Sequence, residues 1–309
     1  MKEGVLMPYD LTTPLVIGIS SRALFNLEKE NRLFVEQGLE AYTAYQIEHE
    51  NDILPKGSAF SLVEAFLRLN KPGQDKMVEV IITSKNSPDT SLRIFKSIQA
   101  YQLDITRAAL VSGAAVTPYL KALKTDLFLS ADAGDVKKAI DHDIAAGRII
   151  TQTLPDNARI DQIRIAFDGD AVLFAAESER IYKQQGIEAF QKHEQSHAND
   201  PLPRGPFANF LTTLSQLQSQ FKTREESPIR TALVTSRNAP AHERAIRTLR
   251  NWNVRVDEAF FLGGVSKTDV LSAFGAHIFF DDQEDHTIPA SKVVPSAVVP
   301  YREGDDPLA

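Results

Sequence analysis

The chain has 309 residues, 43% apolar and 24% charged, with a formal net charge of −7 and no cysteine. This is the composition of an ordinary globular protein. It excludes a disulfide framework, a thiolate metal site and a cysteine nucleophile. The acidic balance argues against broad binding to nucleic acid or to acidic membranes, so an anionic substrate would need a local positive site.

No run approaches the roughly 18 apolar residues of a membrane span. The N-terminal MKEGVLMPYDLTTPLVIGIS places Tyr9, Asp10 and Pro14 before only a short apolar stretch and makes a poor signal peptide. A cytoplasmic protein is expected, and the sequence leaves homo-oligomerisation open.

In chain order, an apolar strand-like run, LVIGIS, leads into SSRALF at Ser20 to Phe25. QGLEAY (37–42) and LPKG (54–57) follow, and both return 148 residues later as QGIEAF (185–190) and LPRG (202–205). TSKNSP (83–88) returns as TSRNAP (235–240), and FLSA (128–131) lines up with FFDD (279–282). Ordered blocks at a nearly constant offset imply two related halves, 1–155 and 156–309, joined near Thr151 to Gln162.

In the second half, the near-continuous apolar runs IRIAF (163–167), TALV (231–234), EAFFL (258–262) and HIFF (277–280) read as strands covered on both faces. A helix is expected between TALV and EAFFL, with Asn238 as cap, Pro240 in its first turn, and Ala245, Leu249 and Trp252 on one face. Asn86, Pro88, Ile94, Ile98 and Tyr101 repeat that pattern in the first half. Strand–helix–strand repetition implies an α/β fold with parallel sheets, and ligands bind beyond the carboxyl ends of such strands. About 175–227 is an insertion with two helical stretches, ESERIYKQQGIEAFQKHEQ and FLTTLSQLQSQF. A mobile helical lid and a static packing hairpin explain it equally well.

The strand ends of the second half carry the chemistry. Asp168 and Asp170 follow the first strand, Thr235, Ser236 and Arg237 the second, GGVSK ending at Lys267 the third, and Asp281 and Asp282 the fourth. Carboxylates this close need a cation between them. A hard divalent ion, Mg²⁺, suits a carboxylate set of Asp168, Asp170, Asp281 and Asp282. Thr235, Lys267 and backbone N–H groups suit a phosphate. An aspartate can attack phosphorus, and a second carboxyl can protonate the leaving oxygen and then activate water.

The set DxD, Thr, Lys, DD, each after its own strand, resembles the haloacid-dehalogenase superfamily of phosphatases. For the two halves read from the repeat, that resemblance implies a Rossmann-like fold with a small helical cap, and it implies Asp168 as nucleophile and Asp170 as general acid/base. It also implies that Thr235 and Lys267 orient the phosphoryl group and that Asp281 and Asp282 complete the Mg²⁺ site. More narrowly, SSRALF, EQG, YLKA, LSAD, FDGDAVLF, ESERI and IFFDDQ resemble the cytosolic 5'-nucleotidase I family over nearly the whole chain. The resemblance implies a nucleoside monophosphate substrate, AMP prominently. The stretch ALVTSRNAP departs from it after the Thr. A regulatory nucleotide-binding protein and a sugar-phosphate phosphatase are the alternatives.

The first half lacks the charged set. Asp168 aligns with Ser20, Asp170 with Arg22, Lys267 with Val116, and Asp281 and Asp282 with Ser130 and Ala131, while Thr83 keeps the threonine. That half is structural, regulatory or part of the substrate pocket, with Ser20 the residue that would line it. Arg237 and Arg164 offer either positive charge for a phosphate or surface salt bridges, and Ser236 and Arg237 are expected to bind substrate. His49, His193 and His197 read as polar cap residues rather than a metal site, because HEQSH lacks the HExxH order. Phe190, Tyr42 and Tyr45 are expected in the core before any stacking on a base. Asp285 and His286 read as a solvated loop.

Overall fold

The computed structural model describes residues 10–151 and 160–306, so the expected joint at 151–162 falls mostly outside the described residues. The first half runs β1 (Leu15–Ile19), α1 (Ser21–Leu24), α2 (Glu28–Glu48), α3 (Phe60–Leu67), β2 (Val78–Ser84), α4 (Leu92–Ala100), β3 (Arg107–Leu110), α5 (Thr117–Ala122), β4 (Leu127–Ser130), α6 (Ala133–Ile140) and β5 (Ala145–Ile149). The second half runs β6 (Ile163–Phe167), α7 (Glu177–Ser196), α8 (Ala208–Ser219), β7 (Ile229–Thr235), α9 (His242–Asn251), β8 (Glu258–Phe261), α10 (Lys267–Phe274), β9 (Ile278–Asp281), α11 (Glu284–Ser291) and β10 (Ser296–Val298).

All ten strands share one sheet in the order β3-β2-β1-β4-β5-β10-β9-β6-β7-β8. Every neighbouring pair is parallel except β5 and β10, where Ala297 and Val298 run antiparallel to Ile149 and Arg148. The result is an α/β, Rossmann-like sheet covered by helices. It also has a directional consequence. Strands on the two sides of the β5–β10 junction point in opposite directions, so their carboxyl ends open on opposite edges of the sheet. Ser20, at the end of β1, therefore lies across the sheet from Asp168, at the end of β6. A place for Ser20 in a pocket shared with Asp168 is ruled out by this topology.

The apolar runs explain the core. Every residue of β1 and β2 is buried, as is all of β7 except Arg230. Phe167 of β6 stacks on Phe280 of β9 at 5.6 Å between ring centroids, and Phe207 closes on Phe280 at 4.6 Å. Helix α8 buries Phe210, Leu211, Leu214 and Leu217 in the same core. It is thus a crossover helix packed on the sheet and not half of a lid, which leaves α7 as the more exposed part of the insertion.

The repeated blocks have matching local reasons. Gly57 and Gly205, from LPKG and LPRG, lie against the chain that leaves β1 and β6. Their N–H groups donate to Leu24 and Leu173 at 2.9 and 2.8 Å. A Cβ on Gly57 would stand 2.8 Å from the Leu24 carbonyl oxygen, and one on Gly205 would stand 2.4 Å from that of Phe174. Helices α2 and α7 are each broken at the glycine of their QG repeat, at Gly38 and Gly186 (φ 84° and 83°).

One local expectation changes, and two strands were not expected at all. Helix α9 starts at His242 and has no side-chain cap; Asn238 contributes only its carbonyl, to the His242 N–H at 3.2 Å. Strands β5 and β10, which join the halves, carry no sequence signal. They read AAGRI and SAV, too short and too mixed to show a strand pattern.

Candidate active site

Asp168 directly follows β6, Thr235 ends β7, Lys267 opens α10, and Asp281 ends β9 with Asp282 after it. Parallel pairing of β6 with β7 and with β9 aligns their carboxyl ends, and the backbone N–H of Asp168 donates to Phe280 of β9 at 2.8 Å. The Lys267 ammonium lies 2.6 Å from Asp168 Oδ1 and 2.6 Å from Asp281 Oδ2, with all three side chains less than a tenth exposed. Carboxylate oxygens of Asp168, Asp281 and Asp282 fall within 4.8 Å of one another. Thr235 reaches the same loop because Gly169 is bare there: a Cβ on Gly169 would stand 3.1 Å from Thr235 Oγ1.

Burial and like charge dominate the electrostatics. Burial, with Asp281 and Asp170 nearby, pushes the Asp168 carboxyl up to about 7 against the pull of Lys267. Burial opposes the charge on Asp281 as well, yet Lys267 and His286 hold it below the usual carboxylate range. The His286 Nδ1 stands 3.1 Å from Asp281 Oδ2, so His286 belongs to the site and not to a solvated loop, whereas Asp285 is exposed. Asp282 is raised well above its ordinary value by burial and by Glu179, Asp281 and Asp168. Tyr301 donates to Asp282 Oδ2 and stands 3.1 Å from Glu179 Oε1. Asp282 Oδ1 and Glu179 Oε2 are buried with no partner.

Three buried carboxylates facing one ammonium are short of positive charge, and buried charge without a partner is costly. An all-oxygen set with an orphaned oxygen on Asp282 fits a hard divalent cation. Asp170, expected among the metal ligands, is not part of this set because its carboxylate is taken up elsewhere. Its two oxygens accept from Arg237 Nε and Nη2 at 2.8 and 2.6 Å.

A family model described as 5'-nucleotidase matches residues 7–306, both halves included. The chain belongs to the 5'-nucleotidase family. Over 290 residues it is 37% identical to human cytosolic 5'-nucleotidase 1B, covering 90% of this chain and 47% of that relative. The chain therefore spans about half the length of the curated relative it matches. No solved structure matches it significantly.

Within this member of the 5'-nucleotidase family, the structure brings together Asp168, Thr235, Lys267, Asp281 and Asp282, and places Asp170 on the same loop. It does not bring the other expected residues to them as free ligands. Ser20 is on the opposite edge, where its Oγ accepts from the Ala23 N–H at 3.3 Å. Ser236 is exposed. Arg237 is neither a surface residue nor a free cation: its side chain is 1% exposed and its fork is spent on Asp170, Glu194 and the Ala241 carbonyl. Arg164 sits near the start of β6, bonded to the Phe274 carbonyl at 2.6 Å, far along the strand from Asp168.

His193 and His197 stack on each other at 4.2 Å, and His49 stacks on Tyr45 at 3.9 Å. Tyr42 is half-buried against Gln46, and Phe190 is buried over Arg237. A cavity of about 460 Å³, lined by Arg68, Met77, Ile163, Phe221 and Pro228, lies at the other end of β6 and β7 and touches none of these groups.

Sequence reasoning missed Glu179, Glu194, Arg244 and Tyr301. Glu194 lies inside HEQSH, where the histidines are the more conspicuous candidates, and Glu179 lies inside ESERI. Only their distant contacts, Glu179 with Tyr301 and Gln283 and Glu194 with Arg237 and Arg244, show that either matters.

Proposed function

We propose that the second half, 156–309, is a haloacid-dehalogenase-like phosphatase unit hydrolysing nucleoside 5'-monophosphates of the AMP type. The single observation that carries this reading is the Lys267 ammonium bridging Asp168 and Asp281 beside Asp282, at the ends of adjacent strands. The family and the name of the human relative supply the substrate class. Asp168 Oδ attacks phosphorus and the bond to the nucleoside 5'-oxygen breaks, leaving an aspartyl-phosphate. Asp170 gives the departing oxygen a proton, then takes one from the water that attacks the phosphoryl group, and Asp168 is released.

Lys267 neutralises the phosphoryl oxygens and keeps Asp168 oriented, while the Thr235 hydroxyl donates to the phosphoryl group. Asp168, Asp281 and Asp282 would hold Mg²⁺, which when bound supplies positive charge to the phosphoryl oxygens. Asp168 and Lys267 favour turnover over mere nucleotide binding, because binding alone needs no buried nucleophile beside an ammonium.

The first half, 1–155, is read as a copy of the same fold that kept the scaffold and lost the acids. A cytoplasmic location follows from the same family reading. The test is phosphate release from a panel of nucleoside and deoxynucleoside monophosphates, with Mg²⁺ and with chelator. Release from a sugar phosphate but from no nucleotide would overturn the substrate class; no release from any phosphomonoester would overturn the chemistry.

A further inference from the structure

We propose that Arg237 is the positioning residue for Asp170, and that Glu194 anchors Arg237 to α7, so that the aim of the proton-transfer carboxyl follows the seating of that helix. The inference rests on the proposed role of Asp170 as acid and base.

Both Asp170 oxygens are held by the parallel fork of Arg237, at 2.8 and 2.6 Å. Such a fork fixes a carboxylate in direction as well as in place, which a lysine cannot do. Arg237 is itself immobilised from several sides. Its Nη1 donates to Glu194 Oε2 and, at 3.3 Å, to the Ala241 carbonyl. Its guanidinium lies 5.7 Å from the ring centre of Phe174 and 5.4 Å from that of Phe190. Its backbone N–H donates to Thr235 Oγ1 at 3.2 Å, tying it to the phosphate-facing threonine. Glu194 is fully buried, and its other oxygen accepts from Ser178 Oγ at 2.8 Å and Arg244 Nη1 at 2.9 Å.

The first half separates scaffold from device. Arg93 and Arg244 make the same backbone bond, from Nε to the carbonyls of Asp52 and Asp200, each at 2.9 Å. Ser97 and Thr248 accept the N–H of Leu54 and Leu202, again each at 2.9 Å. Those contacts brace each half internally and are present in the half without the acids. The chain from Asp170 through Arg237 to Glu194 does not. Its positions hold Arg22, Lys85 and Gln46, and Lys85 turns instead to Asp135 at 2.8 Å. Only the half with a carboxyl to aim carries the parts that aim it.

A double-mutant cycle tests this, with kcat taken per folded molecule and Mg²⁺ present. On a nucleoside monophosphate, Arg237→Met should lower kcat about 100-fold with KM changed less than about threefold, the scale of a lost general acid–base contribution. In an Asp170→Asn background the same substitution, measured on the same nucleoside monophosphate, should change the residual kcat less than about twofold. Arg237→Lys should fall between wild type and Arg237→Met.

Equal losses in both backgrounds would overturn the inference, because Arg237 would then act independently of Asp170. If Arg237→Met does not fold, Glu194→Gln takes its place in the cycle: a loss confined to the Asp170 background supports the inference, and equal losses overturn it. An inactive wild type, or full activity in Asp170→Asn, would instead overturn the parent reading.

Discussion

At the end of β1 the chain reads SSRALF and closes one ordinary helical turn, with the Phe25 N–H on the Ser21 carbonyl at 2.9 Å. At the end of β6 it reads DGDAVLF, one residue longer, and closes a wider turn, with the Phe174 N–H on the Gly169 carbonyl at 2.8 Å. The extra residue leaves Ala171 at φ 62°, a conformation an alanine rarely adopts. Wide turns of this kind are frequent at functional sites. Here the widening accompanies the two aspartates, and it is absent where serine and arginine replace them. The scaffold tolerates either loop; only the chemistry distinguishes them.

The buried charges teach the same lesson. Eight residues before the helix break stand Glu30 in α2 and Ser178 in α7; eight residues after it stand Gln46 and Glu194. Each half thus buries one carboxylate opposite its shared arginine. In the first half Glu30 meets Arg93 at 2.8 Å; in the second Glu194 meets Arg244 and also reaches Arg237. Moving the carboxylate along α7 keeps the arginine paired and frees a second contact for the site.

The largest expected contrast lies between equivalent positions after the first strands. Asp168→Asn should lower phosphate release about 1,000-fold or more with the melting temperature retained, whereas Ser20→Ala should stay within about twofold, as steady-state assays would record. A large loss in Ser20→Ala would mean that the first half does join the chemistry.

Next comes the buried pair of the first half. Arg93→Leu leaves Glu30 buried without its cation and should cost roughly 3–5 kcal/mol in urea unfolding, while turnover per folded molecule holds. A drop in turnover with stability intact would tie the first half to the active site.

Metal should separate the halves more gently. At Mg²⁺ a hundredfold above its dissociation constant, the fold should gain about 2.7 kcal/mol by linkage. Asp282→Asn should lose most of that gain without lowering metal-free stability, since it removes one of three crowded carboxyls. Calorimetry with and without chelator reads both. A full gain in the variant would remove Asp282 from the metal site.

The smallest effect concerns the entrance to each half. Asp126 accepts the Val16 N–H at 2.8 Å, and His277 accepts the Arg164 N–H through Nδ1 at 2.9 Å. Burial, with Arg164 beside it, lowers His277 from 6.5 to about 4. Between those values the unfolded chain binds a proton that the fold refuses, so stability present above pH 6.5 is lost as pH falls toward 4. Burial raises Asp126 instead, so its sign is opposite: its contribution is full at low pH and declines as pH rises. His277→Asp, copying the first half, should flatten the acid loss seen in urea midpoints between pH 7 and 5. An unchanged slope would assign that loss to other groups.

Much of this was legible in the sequence because it depends on local order. IRIAF became β6 with the same bounds, and the other three expected strands of the second half appeared within two residues of their runs. The acids were visible because each follows a strand. Left open was whether α8 packs or forms a lid, and what escaped was any relation set by distant packing: Glu194 against Arg237, and Tyr301 on Asp282. The last two contacts span 43 and 19 residues and carry no periodic signal.

The sequence by itself determined the strand–helix alternation, the repeated blocks and which half carries the acids, since period, turn chemistry and residue type are local properties. Tertiary structure alone decided two things. The antiparallel β5–β10 seam turned the halves' strand ends to opposite edges and removed Ser20 from the site. Burial of Arg237 between two phenyl rings turned an expected phosphate ligand into the partner of Asp170. Both follow from strand direction and desolvation, and neither is a property of a residue and its neighbours in the chain.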